Sequence, residues 1–169
     1  MSYEGRVMNK IKKTGFTLVE LLIVIVLLGA LSVLGMSLFT GSQIHARDTR
    51  RKTDLSQIAS ALEMYALDVG DYPASDNGKI KGCGSSTALV ACEWNVLWSR
   101  TVGTKTIVYM QKLPKDPSRF TYCYTKLTKG YKLYANLEGT DDPDRVAPVA
   151  CGSGTYTYVY RSTNLLPTE

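Results

Sequence analysis

From Phe16 to Phe39 the chain runs through about two dozen residues with a single charge, Glu20. At a helical rise of about 1.5 Å per residue this stretch reaches about 36 Å, enough to cross a hydrocarbon layer of about 30 Å with some tilt. Lys10, Lys12 and Lys13 precede it, with no acidic residue between Lys10 and Phe16. The positive-inside rule puts that end in the cytoplasm and everything after Phe39 outside it. A carboxylate one turn into an apolar segment is costly to insert unless it is paired, and such acids are functional candidates by default. No basic residue lies within helical reach on its C-terminal side, so either the partner of Glu20 comes from elsewhere or the carboxylate sits partly hydrated near the headgroups.

The surrounding residues resemble a known family. Lys13-Thr14-Gly15 followed by Phe16-Thr17-Leu18-Val19-Glu20 and a long apolar run resembles the class III signal of type IV prepilins and pseudopilins. The resemblance is close over residues 8–73. It implies that a membrane-embedded prepilin peptidase cuts after Gly15 and that Phe16 becomes a methylated N-terminus. It also implies that Glu20 pairs with the N-terminal amine of a neighbouring subunit. Met8 is an alternative start, because Met8 to Gly15 is by itself a complete short leader.

The helix is predicted to continue beyond the apolar stretch. After a polar segment, Leu55, Ile58, Ala59, Leu62, Tyr65, Ala66 and Val69 recur at steps of three and four, the stripe of an amphipathic helix. No proline interrupts Phe16 to Val69, so one helix of about 54 residues is expected, capped at Gly70 and ended by Tyr72-Pro73. Residues 74–99 read as a loop holding a short helix near Ala88–Trp98, and 101–113 fit either a strand or a helical turn. Phe120–Leu127, Tyr131–Glu138 and Tyr156–Arg161 alternate as strands. The expected fold class is α+β and pilin-like: a long N-terminal helix, membrane-spanning in its first half, packed on a C-terminal antiparallel sheet. Its divisions are leader 1–15, transmembrane or filament-core helix 16–40, amphipathic half 41–70, αβ loop region 71–119 and β-region 120–169.

Two later motifs extend the resemblance. Asp68-Val69-Gly70-Asp71-Tyr72-Pro73 resembles the helix end of the major pseudopilins of type II secretion and of related Gram-positive pilins. Leu113-Pro114-Lys115-Asp116-Pro117, followed by Tyr122-Cys123-Tyr124, resembles the segment that enters their first clear strand. One departure is Ser37, where many members have a proline; whether the helix melts between Gly29 and Ser37 stays open.

Charge and cysteine content narrow the chemistry. Removing residues 1–15 takes away four basic residues and one acidic residue, so the net charge of +5 falls to +2. Much of the basicity therefore serves topology, and nucleic acid is not expected as a partner. Arg47, Arg50, Arg51 and Lys52 form a basic patch suited to headgroups or subunit contacts, and Asp48 is spaced to pair with Lys52. Four cysteines fall on the exported side and suit disulfides. Of three pairings, Cys83–Cys92 with Cys123–Cys151 keeps each bridge in one region; a zinc site is the alternative. Glu138, Asp141, Asp142 and Asp144 gather four carboxylates in seven residues. Calcium could use them, as the resemblance to type II secretion pseudopilins implies, or they form a solvated acidic turn. The only histidine, His45, has no catalytic companions, and no enzyme is expected.

These readings lead to a structural subunit of a type IV pilus or pilus-like filament, with copies of itself, a prepilin peptidase and inner-membrane assembly machinery as partners. It is expected first as a single-pass membrane protein, then as an extracellular or periplasmic filament. The alternatives are a major pseudopilin of type II secretion, a competence pseudopilin for DNA uptake, and a single-span surface binding protein.

Overall fold

The computed structural model describes residues 15–165, without the side chains of 33–40. The leader and the lysines ahead of Gly15 lie outside the described residues. The chain divides into two units at Gly41/Ser42, each taken in turn. One α-helix, α1, runs from Leu18 to Val69 and contributes to both. Its backbone is helical through Gly29 to Ser37, where melting was left open.

In the first unit α1 starts on a reciprocal cap. Thr17 is the residue before the first turn, and Glu20 supplies the acidic side chain of that turn. Side chains from Leu18 to Leu31 are exposed all round, the least exposed large one being Val24 at 48%. Among the described residues no helix carries an apolar window long enough to cross a membrane. The expected span of 16–40 includes eight residues whose side chains are not described.

In the second unit α1 buries Leu55, Ile58, Ala59, Ala61, Leu62 and Tyr65. The stripe ends a turn sooner than expected, because Val69 is 38% exposed. Gly70 has φ +88° and its N–H donates to Ala66 O at 2.8 Å, so the left-handed turn that stops the helix falls on a residue without Cβ. Five strands follow: β1 (Ala74–Asp76), β2 (Lys79–Ser85), β3 (Ala88–Ala91), β4 (Trp98–Val102) and β5 (Lys105–Met110). They form a sheet in the order β1-β2-β4-β5, with β3 also paired to β2. The loop with a short helix expected at 74–99 is therefore wrong. Gly82, read as a loop residue, lies within β2 because a Cβ there would come within 3.2–3.3 Å of Pro73, Trp98 and Tyr65. Glycine lets the strand approach the helix closely, and Trp98 Nε1 donates to Gly82 O at 3.1 Å.

The last strands are β6 (Cys123–Lys126), β7 (Tyr131–Ala135), β8 (Val149–Cys151), β9 (Gly154–Tyr156) and β10 (Tyr158–Arg161). An antiparallel sheet β10-β7-β6 stands beside a β8–β9 hairpin. One face of the three-stranded sheet gives Tyr124, Tyr131 and Leu133 to the core around Leu55–Tyr65. The other gives Cys123 and Tyr134 to a smaller cluster with Cys151 and Tyr156. Hence the tyrosines pack on both faces of the three-stranded sheet. Disulfides join Cys83 to Cys92 and Cys123 to Cys151. The first ties β2 to the residue after β3, and the second ties β6 to β8.

Candidate functional site

Two groups of residues carry chemistry, one in each unit. At the N-terminal end of α1, Thr17 N–H donates to Glu20 Oε2 at 2.8 Å and Thr17 Oγ1–H donates to the same oxygen at 2.7 Å. Glu20 N–H returns a bond to Thr17 Oγ1 at 3.2 Å. This capping box satisfies helix-end donors and holds the carboxylate against the first turn. All three contacts leave Oε1 alone, and among the described residues that oxygen accepts no hydrogen bond. Phe16 is 87% exposed, and a Cβ on Gly15 would meet nothing within 4 Å. Gly15, where the resemblance places the cut, Phe16 and the unshared Glu20 oxygen thus lie within six residues of one another in the chain.

In the second unit a polar network begins where the apolar stripe has not yet started. Arg51 is completely buried on α1. Its Nε and Nη2 form a fork onto Asp116 at 2.7 and 3.0 Å, its Nη1 bonds Asp48 at 2.6 Å, and its Nη2 also reaches Glu138 at 2.6 Å. Arg47 meets Glu138 through Nε at 3.0 and 3.1 Å. The Asp48 carboxylate then accepts the backbone N–H groups of Glu138 and Gly139 at 3.0 and 2.8 Å. Burial opposes charge on Arg51, but its bonds to Asp116, Glu138 and Asp48 outweigh that and raise its pKa. The hydrogen bond from Arg47 leads in holding the Glu138 carboxyl down to about 2, with Arg51 adding to it. Burial pushes Asp116 up, yet Arg51 and Ser118 keep it below the ordinary carboxylate range. Nearby, Tyr122 donates to Asp54 at 2.7 Å, and burial together with that bond raises the phenol.

The structure redistributes the residues expected in the acidic turn. Glu138 faces Arg47 and Arg51, whereas Asp142 and Asp144 face Lys52. Among the described residues no three Asp, Glu, His or Cys side chains gather as metal ligands. Glu138, Asp141, Asp142 and Asp144 do not fit calcium, because three of them are engaged by protein cations. The expected Asp48–Lys52 pair is also replaced: Asp48 takes Arg51 at i+3, and Lys52 leaves the helix for the turn. Of the basic patch, Arg47, Arg51 and Lys52 point into ion pairs, while Arg50 and His45 remain exposed. Asp116 is the partner that sequence reading missed. The one available signal was its place between two prolines in Leu113–Pro117, a fixed loop position; nothing local marked Arg51 as buried.

Comparison with known proteins agrees with this anatomy. Residues 39–144, more than half of the chain, match the family described as type II secretion system (T2SS), protein G. Residues 10–36 match the prokaryotic N-terminal methylation motif. A type II secretion system core protein G of Pseudomonas aeruginosa is 33% identical over 144 residues, covering 81% of this chain and 94% of that protein. The core protein G of Vibrio cholerae is 34% identical over 113 residues, covering 67% and 70%. That of Escherichia coli is 36% identical over 67 residues, covering 40% and 46%. No solved structure matches the chain. An N-terminal methylation motif leading into a long helix, a mostly antiparallel domain packed on the second part of that helix, and similarity along most of the chain have one reading: the protein belongs to the type II secretion system protein G family of pseudopilins.

Proposed function

We propose that this chain is a core filament subunit of a type II secretion machine, the alternative to a surface pilus. The observation that carries it is the similarity to the Pseudomonas aeruginosa core protein G over 94% of that protein. In this reading the precursor inserts with its N-terminus in the cytoplasm and its C-terminal domain on the periplasmic side. A prepilin peptidase removes residues 1–15 after Gly15, and Phe16 becomes the methylated end. Subunits then leave the lipid and stack through the apolar part of α1 in a heterologous contact that does not close, which builds an open helical filament. The exposure of Phe16 and the open space at Gly15 support access by the peptidase. The Glu20 oxygen that has no hydrogen-bond donor among the described residues supports pairing with a neighbour's N-terminal amine, which would set the axial step. A subunit out of register would leave both charges buried and unpaired.

Deleting the gene and comparing proteins in the medium with fibres on the cell tests the reading. Loss of exported proteins, restored by the wild-type gene, is the expected result. Intact export with loss of surface fibres would return the pilus reading to first place. Mass spectrometry of the mature N-terminus reports on processing: an N-methylated Phe16 is expected, and an uncleaved chain would favour the single-span binding protein.

A further inference from the structure

The connection between β7 and β8, residues 136–148, gathers enough acid to spread by self-repulsion or to draw in a cation. The cations that it meets are side chains of the same unit. Lys52 Nζ donates to both oxygens of Asp142, at 2.8 and 2.9 Å, and to Asp144 Oδ2 at 2.6 Å. It also sits 5.7 Å above the Tyr158 ring, so an aromatic face closes a further side. Arg145 Nη1 donates to the carbonyls of Leu137 and Gly139 at 2.6 and 3.2 Å. Two backbone N–H groups tighten the same turn: Asp144 N–H donates to the Asp142 carboxylate Oδ1 at 2.9 Å and Arg145 N–H to the Asp142 carbonyl at 3.0 Å.

Carboxylate oxygens and backbone carbonyls are the ligands that a hard divalent ion takes, and this one loop carries both. Here they are divided between an ammonium and a guanidinium. We propose that Lys52 and Arg145 occupy the role of a bound calcium ion in this turn, so that the β7–β8 connection folds without a metal and is locked onto α1 by Lys52. A metal cage would close the loop on itself. The ammonium joins it to the helix, which makes the loop position depend on a residue 90 positions earlier in the chain. Calcium could reach Asp142 and Asp144 only by displacing a positive charge that already satisfies three of their oxygens.

Thermal unfolding of the full chain in detergent, in millimolar calcium and in excess chelator, tests the assignment. This measurement uses unassembled protein, so its outcome is separate from that of the filament reading. For the wild type the two curves are expected to superimpose. A midpoint that rises with calcium or falls with chelator would overturn the proposal. Lys52→Ala should lower the midpoint by about 3–6 °C and make it respond to calcium, which regains part of the loss at the uncovered carboxylates. A variant no worse than the exposed-site control Lys105→Ala, or one indifferent to calcium, also overturns it. If Lys52→Ala does not accumulate, Lys52→Arg keeps the charge; superimposed curves are expected, and calcium dependence counts against the proposal.

Discussion

The two parts of α1 share one backbone conformation and meet opposite demands. Between Leu18 and Leu31 the large apolar side chains are at least 48% exposed, and the Thr17–Glu20 box is the polar feature. Between Asp48 and Tyr65 the buried set opens with three charges, Asp48, Arg51 and Asp54, before Leu55 begins the apolar stripe. Hydrophobicity alone would have assigned the inside to the first part. Burial instead follows which side chains have partners in their own chain. The first part calls for an outside solvent, lipid or other copies, whereas the second has its counter-ions and sheets supplied locally. Changes in the first part should therefore be read out in assembly, and changes in the second in stability.

Glu20→Ala gives the largest expected effect and the clearest way to break that division. Fibre formation should fall to background while thermal unfolding of the exported domain stays that of the wild type. Electron microscopy of filaments assembled from the overproduced protein checks the first and circular dichroism the second. Normal fibres from this variant would remove the axial role assigned to the carboxylate.

Next comes Arg51→Met, which keeps much of the volume but leaves Asp48 and Asp116 without their cation. Breaking a buried ion network from one side costs about 3–5 kcal/mol. Denaturant unfolding should show a loss of that size, with processing at Gly15 unchanged. Acid should act through the same network. The folded pKa of Glu138 is depressed from 4.5 to about 2, so its contribution is present above pH 4.5 and is lost as pH falls towards about 2. A wild-type midpoint that is flat across that window would show that the ion pairs do not stabilise the domain. The window should flatten in Arg47→Ala, whose guanidinium is the leading cause of the shift.

The same contrast explains what could be read from the amino acids. The apolar segment, the stripe from Leu55 to Tyr65, the hairpin of β6 and β7 and the cysteine pairs were legible, because each is a local pattern or a spacing. Strands β1 to β4 were not, and β5 fitted a strand or a helical turn equally. Gly82 and Gly84 look like loop residues until Trp98 and Tyr65 are seen packed against Gly82. The Asn77-Gly78 pair, both at positive φ, was an available signal for the turn between β1 and β2. The network was the harder part. Arg51 and Asp48 on a helix have the composition of a solvated face, and only the fold brings Asp116 from 65 residues away to bury them.

The disulfides sharpen the comparison within the second unit. Cys123–Cys151 closes a separation of 28 residues and Cys83–Cys92 one of 9. Chain entropy gives about 3.5 and about 2.5 kcal/mol respectively. Cys123 and Cys151 also fill the small cluster with Tyr134 and Tyr156, so removing that bridge opens the outer face of the three-stranded sheet as well. Single-bridge serine variants should rank in that order by denaturant midpoint. The reverse order would mean that the stapled β2–β3 ribbon, and not the C-terminal loop, limits stability.

Thr17→Val is the smallest effect and tests the first part at its finest grain. The substitution keeps the shape and the backbone N–H bond to Glu20 Oε2, but removes the hydroxyl bond and the acceptor for Glu20 N–H. Loss of an N-cap side chain costs about 1 kcal/mol, close to a fivefold change in an equilibrium. If the box aims the carboxylate at a neighbour, fibres should still form but their yield should drop by a few-fold, with the stability of the second unit unchanged. If the carboxylate finds its partner unaided, yield should match the wild type, and Thr17 would be a helix cap alone. The two residues are separable because Glu20 carries the charge proposed to meet an adjacent subunit, whereas Thr17 carries none and acts through its bonds to Glu20.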